Sequence, residues 1–220
     1  MDTILEQLRH APQLRLYYEA IGELLAAEAA CREHFYATVR EDEKAEFING
    51  EVIVQSPVKL EHNEAGLNLI SLLRTYVVRH NLGIVGYEKL LIALTRNDYE
   101  PDVCFFSAAK AAHLQPDQIR FLDPDFIAEV LTPSTATTDR GIKFTDYAAH
   151  GVAEYWLIDP ATHTVEQYEL RDAHYHLLTK ARSDTITSVA VAGFSIPIAA
   201  IFERSAHLTT LQHLLTDTAA

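Results

Sequence analysis

The chain has 220 residues, 48% of them hydrophobic, which is enough to bury a substantial core in one domain with appendages. Its 31 acidic residues outnumber its 18 lysines and arginines, and the formal net charge of −13 repels a nucleic-acid backbone unless basic groups gather on one face or metal ions compensate. No stretch approaches the roughly 18 uninterrupted apolar residues of a membrane span, and the two distant cysteines support neither a disulfide framework nor a zinc ribbon, so we expect a soluble protein of the reducing cytoplasm.

The first third of the chain predicts helices on either side of one β-hairpin. Apolar residues recur at helical spacing over residues 14–25, which predicts a helical N-terminal arm that we assign to residues 1–43. Next, Asn49-Gly50 stands between two β-type runs and favours a type I′ turn, which predicts a hairpin. From residue 60 to about residue 80 the apolar positions recur every three to four residues and predict one long helix.

Apolar runs separated by polar segments then predict a sheet. Three of these runs predict core strands: GIVGYEKLLIALT, PDVCFFS and DFIAEVLT. After them, DRGIKFTDYAAHG predicts a helix and AEYWLID a further strand. This strand–helix–strand order is typical of a right-handed parallel crossover, so we expect an α/β fold.

The tail completes the predicted domain. TVEQYEL, HYHLLTK and ITSVAVAG predict a β-meander, and residues 208–215 a short closing helix. Since no repeat or Gly/Ser linker interrupts residues 44–220, we assign them to one domain.

Two acidic residues stand where a strand should be apolar. Asp102 follows Pro101 at the head of one apolar run, and Glu129 lies inside another. Burying a carboxylate is costly unless a partner or a metal compensates. If the two strands are neighbours, these carboxylates converge on one point and suit Mg²⁺, which prefers oxygen ligands. Lys143, on the crossover helix, can then return over the strand end to position a water or to stabilise charge on a phosphate.

The densest pattern in the chain is IAEVLTPSTATTDRGIKFTDYAAHGVAEYWLIDP, preceded by GEVIVQSP and EPDVCFF. With these motifs the chain resembles the Uma-type family of endonucleases, placed in the PD-(D/E)XK nuclease superfamily. The resemblance covers about residues 46–202. It implies a restriction-endonuclease-like core, in which a mixed β-sheet is flanked by helices, and a DNA endonuclease that depends on Mg²⁺ or Mn²⁺.

The resemblance also implies roles for individual residues. Asp102 and Glu129 match the two metal-binding acids, and the backbone carbonyl of Val130 completes the metal shell. The usual lysine position of the superfamily holds Leu131, and Lys143 matches the position to which the Uma-type family has moved that lysine.

Two further positions match the family at the edge of the implied cleft. Glu46 corresponds to an additional acid of the metal shell. His62 corresponds to a proton shuttle or a phosphate contact.

Each of these residues also has a structural interpretation. Asp102 fits ordinary Glu-Pro-Asp turn chemistry, and Glu129 fits a buried salt bridge with Lys143. Asp139 and Thr138 fit helix capping, and His62 fits a surface or helix-start histidine.

Three classes of function remain open from the sequence. The first is a Mg²⁺-dependent DNA endonuclease that acts as a homodimer through the arm. The second is a catalytically inactive nucleic-acid-binding or protein-interaction module on the same fold, favoured by Leu131 and by the net charge of −13. The third, a glycosidase with two carboxylates, explains neither Lys143 nor the crossover motif.

Overall fold

A computed structural model describes residues 2–40 and 42–216, and by its internal contacts the chain divides into two compact units, residues 1–55 and 56–220. The helices are α1 (Asp2–Arg9), α2 (Leu14–Thr38), α3 (Leu60–Arg79), α4 (Ala108–Ala111), α5 (Ala136–Thr138), a π-helical turn (Asp139–Lys143), α6 (Phe144–Ala149), α7 (Ala199–Phe202) and α8 (Arg204–Thr216). The strands are β1 (Ala45–Ile48), β2 (Glu51–Val54), β3 (Gly83–Tyr87), β4 (Leu91–Ala93), β5 (Asp98–Tyr99), β6 (Val103–Ser107), β7 (Arg120–Phe121), β8 (Phe126–Val130), β9 (Glu154–Asp159), β10 (Thr164–Arg171), β11 (His174–Ala181), β12 (Thr185–Thr187) and β13 (Ser195–Pro197). No helix within these described residues has both the length and the apolar character needed to cross a bilayer.

The first unit consists of the helical arm and the predicted hairpin. At the tip of the hairpin, Asn49 and Gly50 have φ angles of 52° and 89°, as a type I′ turn requires. Within this unit Phe35 of α2 stacks on Phe47 of β1, with ring centroids 5.8 Å apart. The prediction of a helical arm followed by a β-hairpin is therefore confirmed, whereas the assignment of residues 44–220 to one nuclease domain stays a prediction.

The second unit is built on a six-stranded mixed sheet in the order β11-β10-β9-β8-β6-β3. The pair β8 and β9 is parallel, and the other neighbours in this sheet are antiparallel. The parallel pair encloses the helical segment of residues 136–149, so the predicted crossover is confirmed. Elsewhere in this unit, β4 pairs with β5 in antiparallel and with β7 in parallel orientation.

The two faces of the sheet carry different side chains because successive residues of a strand point to opposite sides. On one face, Leu69 and Leu73 of α3 belong to the same buried apolar core as Ala128 and Trp156. The other face is covered by the end of the crossover helix, where Tyr147 meets Tyr155 edge-on with ring centroids 5.3 Å apart. Glu129 belongs to this second face, since its hydroxyl partner is Tyr147.

Two details of the strands differ from the prediction. The run from Gly83 to Thr95 forms two strands of different sheets, because Glu88 and Lys89 adopt positive φ angles of 44° and 22° and turn the chain. The third strand of the predicted meander does not continue onto β11. Instead β12 pairs with β13, since the backbone N–H groups of Val189 and Ala190 turn away to donate to Glu154.

Candidate active site

The two candidate carboxylates come together through the register of β6 and β8. Val103 lies opposite Ala128 in this antiparallel pair, which places Asp102, one residue earlier, beside Glu129, one residue later. The N–H of Asp102 donates to Glu129 Oε2 at 3.3 Å, and the N–H of Val130 donates to Asp102 Oδ2 at 2.8 Å. Both acids are buried, with 5% and 3% of their surface exposed. The neighbouring strands thus hold two carboxylates side by side.

Lys143 is buried against the same site. Its Nζ lies 3.0 Å from Glu129 Oε1 and 3.2 Å from Asp139 Oδ1, and only 2% of its side chain is exposed. The hydroxyl of Tyr147 donates to the same oxygen of Glu129 at 3.1 Å. The crossover helix therefore returns the ammonium to the strand end. The Glu129–Lys143 ion pair is equally the contact that the structural interpretation of Glu129 required.

A π-helical turn shapes the approach of Lys143. Residues 139–143 are wound as a π-helix between α5 and α6, a geometry that is rare and is found frequently at functional sites. Within it Asp139 and Lys143 are both 2% exposed, whereas Arg140 and Gly141 lie on the exposed side. The wider turn thus directs one acid and one base inward together.

Two residues of this cluster were not assigned to the site from the sequence. Asp139 was interpreted as a helix cap, and that is wrong, because its side chain is buried and pairs with Lys143. Tyr147 was interpreted as a core aromatic, which its burial confirms, but its hydroxyl also binds Glu129. The i, i+4, i+8 spacing of Asp139, Lys143 and Tyr147 places them on one helix face. That spacing was the available signal.

The remaining predicted residues occupy different places. His62 lies in the first turn of α3, is 6% exposed, and has its Nε2 3.4 Å from Asp102 Oδ2. It is therefore a buried neighbour of the candidate acids and not a surface histidine, whereas its position agrees with the helix-start interpretation. Glu46 lies on β1 in the N-terminal unit, opposite Ile53. Its role in the site stays a prediction.

Two other reactive side chains near the site stay neutral. Burial raises the pKa of the Cys104 thiol to about 12, so no thiolate nucleophile forms there at physiological pH. Burial also raises the pKa of Tyr155 well above its ordinary value, and the negative charges of Glu129 and Asp139 raise it further. Its hydroxyl donates to the backbone carbonyl of Asp139 at 3.1 Å. Tyr155 thus supports the π-helical turn as a neutral donor.

The groups that could bind a metal ion at this site indicate which kind of ion it suits. Over the described part of the chain no group of three or more His, Cys, Asp or Glu side chains is arranged to hold a metal ion. Two carboxylates and one backbone carbonyl are the oxygen ligands typical of Mg²⁺, which completes its shell with waters and substrate phosphates. The side chain at the usual lysine position, Leu131, is buried and apolar. Asp102, Glu129 and Val130 therefore fit a magnesium-type ion in chemical character.

Known proteins are similar to this chain in sequence and in fold. Residues 32–199 match the Uma2 family, described as "Putative restriction endonuclease". The uncharacterized protein sll1609 of Synechocystis sp. is 33% identical over 159 residues, which cover 71% of this chain and 86% of that protein.

The fold has a solved counterpart in Anabaena variabilis, described as a "putative nuclease belonging to DUF820". The two structures superpose with a TM-score of 0.67 at 18% identity, over 81% of this chain and 97% of the other. The fold is accordingly the predicted restriction-endonuclease-like α/β fold with a helical N-terminal arm. Because the family match extends over well more than half of the chain, this protein belongs to the Uma2 family of restriction-endonuclease-like proteins.

Proposed function

We propose that this protein is a Mg²⁺- or Mn²⁺-dependent DNA endonuclease that hydrolyses phosphodiester bonds through Asp102, Glu129 and Lys143. One observation carries the proposal. Two carboxylates from neighbouring strands and one ammonium lie buried together at the end of the parallel strand pair. Burying three charged groups is expensive for folding, and a hydrophobic replacement of such groups is often neutral or stabilising. A catalytic use explains why this chain has them.

Asp102, Glu129 and the carbonyl of Val130 would hold the metal ion. When bound, the ion would supply a Lewis acid that polarises the scissile phosphodiester. The protein orients these ligands in advance, since the N–H of Val130 fixes one oxygen of Asp102, and Lys143 and Tyr147 fix one oxygen of Glu129. Ligands held by such surrounding donors bind metals better than mobile ones.

Lys143 replaces the lysine that the superfamily carries at the position of Leu131. Its ammonium is held by two carboxylates at 3.0 and 3.2 Å, so it approaches the site as a positioned charge. A fixed cation next to a reacting phosphate stabilises the negative charge that develops in the transition state. His62, within 3.4 Å of Asp102, is the candidate proton carrier.

Plasmid nicking tests the proposal. Purified protein should nick supercoiled DNA with Mg²⁺ or Mn²⁺ and lose this activity in EDTA. Glu129→Gln should lower the nicking rate by at least about 100-fold, because it removes the charge of one metal ligand while preserving its shape.

The matched control is Asp125→Asn, at the opposite end of β8. This carboxylate is also bound by a lysine, Lys110 at 3.3 Å, and by a backbone N–H, that of Ser107 at 2.7 Å. The control should nick DNA like the wild type. An inert wild type on varied DNA substrates, or a Glu129→Gln variant with full activity, would contradict the proposal. Metal-independent DNA binding without cleavage would favour the binding-module alternative.

A further inference from the structure

We propose that a cleft beside the candidate active site binds one nucleobase of the DNA substrate, an inference that rests on the proposed function. The cleft has a volume of about 570 Å³, within the roughly 300–1,000 Å³ of small-molecule sites. It lies between the start of α3 and the turn that joins β9 to β10. The residues that line it include Lys59, Glu64, Pro160, His163, Phe202 and Arg204.

The cleft is next to the carboxylates for reasons of topology. Val130 and Ile158 are opposite each other in the parallel strands β8 and β9. Pro160, two residues after Ile158, therefore lies beyond the carboxyl end of β9, next to the end of β8 that carries Val130 and the candidate metal ligands. On the other wall, Glu61 lines the cleft and its chain neighbour His62 contacts Asp102. A nucleotide adjoining a phosphate at the carboxylates is thus within reach of the cleft.

Two parallel aromatic rings in the wall of the cleft offer a surface on which a base can stack. The rings of His163 and Phe202 lie 4.8 Å apart with an interplanar angle of 2°. Phe202 is partly buried against the apolar core, whereas His163 is exposed. A third planar ring can therefore continue the stack on the exposed side. Stacking of a base on aromatic side chains changes affinity by roughly 5- to 150-fold and tolerates any base.

The charges that line the cleft favour a base over a phosphate. Lys59 and Arg204 are balanced by Glu61 and Glu64, and the Nζ of Lys59 lies 3.5 Å from Glu61 Oε1. A phosphate-binding groove needs an excess of basic groups. A charge-balanced cleft with an aromatic stack instead suits the uncharged face of a base, whose exocyclic amino groups find acceptors in the two carboxylates.

Two substitutions remove the stack without removing the cleft. His163 has a φ angle of 52°, a conformation that asparagine tolerates better than most residues, so His163→Asn deletes the ring with little backbone strain. Phe202→Leu keeps the apolar bulk and deletes the aromatic face. The matched control is His80→Asn. The ring of His80 lies 4.3 Å from that of Tyr76 at the opposite end of α3 and does not line the cleft.

The measurement is the affinity for short single- and double-stranded oligonucleotides that carry 2-aminopurine, whose fluorescence falls when the base stacks. Ca²⁺ replaces Mg²⁺ so that binding is observed without turnover. We expect the wild type and His80→Asn to quench the probe equally. His163→Asn, which deletes the ring that the base contacts, should bind roughly 5- to 150-fold more weakly and lose the quenching. Phe202→Leu keeps the ring of His163 and removes only its support, so its loss of affinity and quenching should be smaller. Wild-type affinity and quenching in His163→Asn, or a wild type that does not bind the probe, would overturn the inference.

Plasmid nicking in parallel separates this inference from the proposed function. A wild type that nicks DNA, together with a His163→Asn variant that quenches normally, would overturn the inference of a base-binding cleft and leave the endonuclease proposal standing. A wild type whose quenching depends on His163 but which does not nick DNA would support the cleft and overturn the catalytic proposal.

Discussion

At the scale of single residues, the main feature is a lysine that is almost completely buried between two acids. Lys143 contacts Glu129 and Asp139 with 2% of its side chain exposed. Lys110 offers the same chemistry at the surface, where it pairs with Asp123 and Asp125 and is 34% exposed. Buried ion pairs lose much stability when one partner is removed, whereas exposed pairs contribute little. The two lysines therefore form a natural comparison.

We expect Lys143→Met to lower the free energy of unfolding by about 3–5 kcal/mol, because it removes the buried ammonium that pairs with the buried carboxylates of Glu129 and Asp139. Lys110→Met should cost less than about 1 kcal/mol, since water screens that pair. Urea denaturation of both variants and the wild type measures the difference. Equal losses of unfolding free energy in the two variants would contradict the stabilising role that we assign to the buried ion pairs of Lys143. The size of the expected loss is also the reason why Glu129→Gln is the better variant for testing catalysis.

At the scale of elements, a second ionic cluster ties the π-helical turn to the sheet beside it. The carboxylate of Glu166, on β10, accepts hydrogen bonds from the two terminal guanidinium nitrogens of Arg140, at 2.6 and 3.0 Å. It also accepts one from the hydroxyl of Tyr168 at 2.6 Å and lies 2.9 Å from the ammonium of Lys180. Burial by itself raises the pKa of Glu166, but these hydrogen bonds outweigh it and lower the pKa from its usual 4.5 to about 2. The turn that carries Lys143 is thereby joined to β10 and β11.

Stability should therefore depend on the ionisation of Glu166. Because its pKa is lower in the folded chain, its contribution is present above pH 4.5 and is lost as the pH falls through about 2. Allowing for the exposure of Arg140 and Lys180, we expect the loss to be about 1–2 kcal/mol. Unfolding measured over this range should show a smaller acid-dependent loss in Glu166→Gln and in Arg140→Gln than in the wild type. If the stability of both variants fell with pH as steeply as that of the wild type, the acid-dependent loss could not be assigned to Glu166.

At the scale of the whole molecule, the helical arm has many exposed apolar side chains. Ile21, Leu24 and Leu25 of α2 are 48%, 52% and 48% exposed. A contiguous apolar surface of this kind marks an interaction site in many proteins. Homo-oligomers are most often two-fold symmetric dimers, and endonucleases that cut both DNA strands, as in the proposed function, commonly work as dimers. These considerations support the predicted homodimer through the arm.

We expect the wild type to sediment at twice the monomer mass and the double variant Ile21→Glu, Leu24→Glu to sediment as a monomer, because two buried charges would face their symmetry copies. Leu208→Glu, on α8, is the matched control, since Leu208 is 50% exposed and lies outside the arm. Analytical ultracentrifugation makes the comparison. A monomeric wild type, or a variant that remains dimeric, would contradict dimerisation through the arm.

Local patterns in the sequence were sufficient for most elements. The turn at Asn49-Gly50, the 20-residue helix α3 and the parallel crossover follow from turn chemistry and apolar periodicity, and the structure has all three. The motif also placed Asp102, Glu129 and Lys143 in one predicted site, and they lie together. The turn, the helix and the crossover depend on residues close in sequence or on a short connection, so the chain specifies them locally. The meeting of Asp102 with Glu129 is a longer-range contact that was expected from the family motif.

Only the tertiary structure decided the rest. The contact of His62 with Asp102 and the departure of β12 from the meander depend on residues distant in sequence. The spacing of Asp139 and Lys143 is local, but the ion pair that Lys143 makes with Glu129 on β8 comes only from the tertiary packing. The stacking of His163 on Phe202 likewise joins residues that are 39 positions apart in the sequence. Periodicity reports which face of an element is apolar, but not which polar groups on other elements will meet it. The cost of burying a charge without a partner then selects the one packing in which those groups are paired.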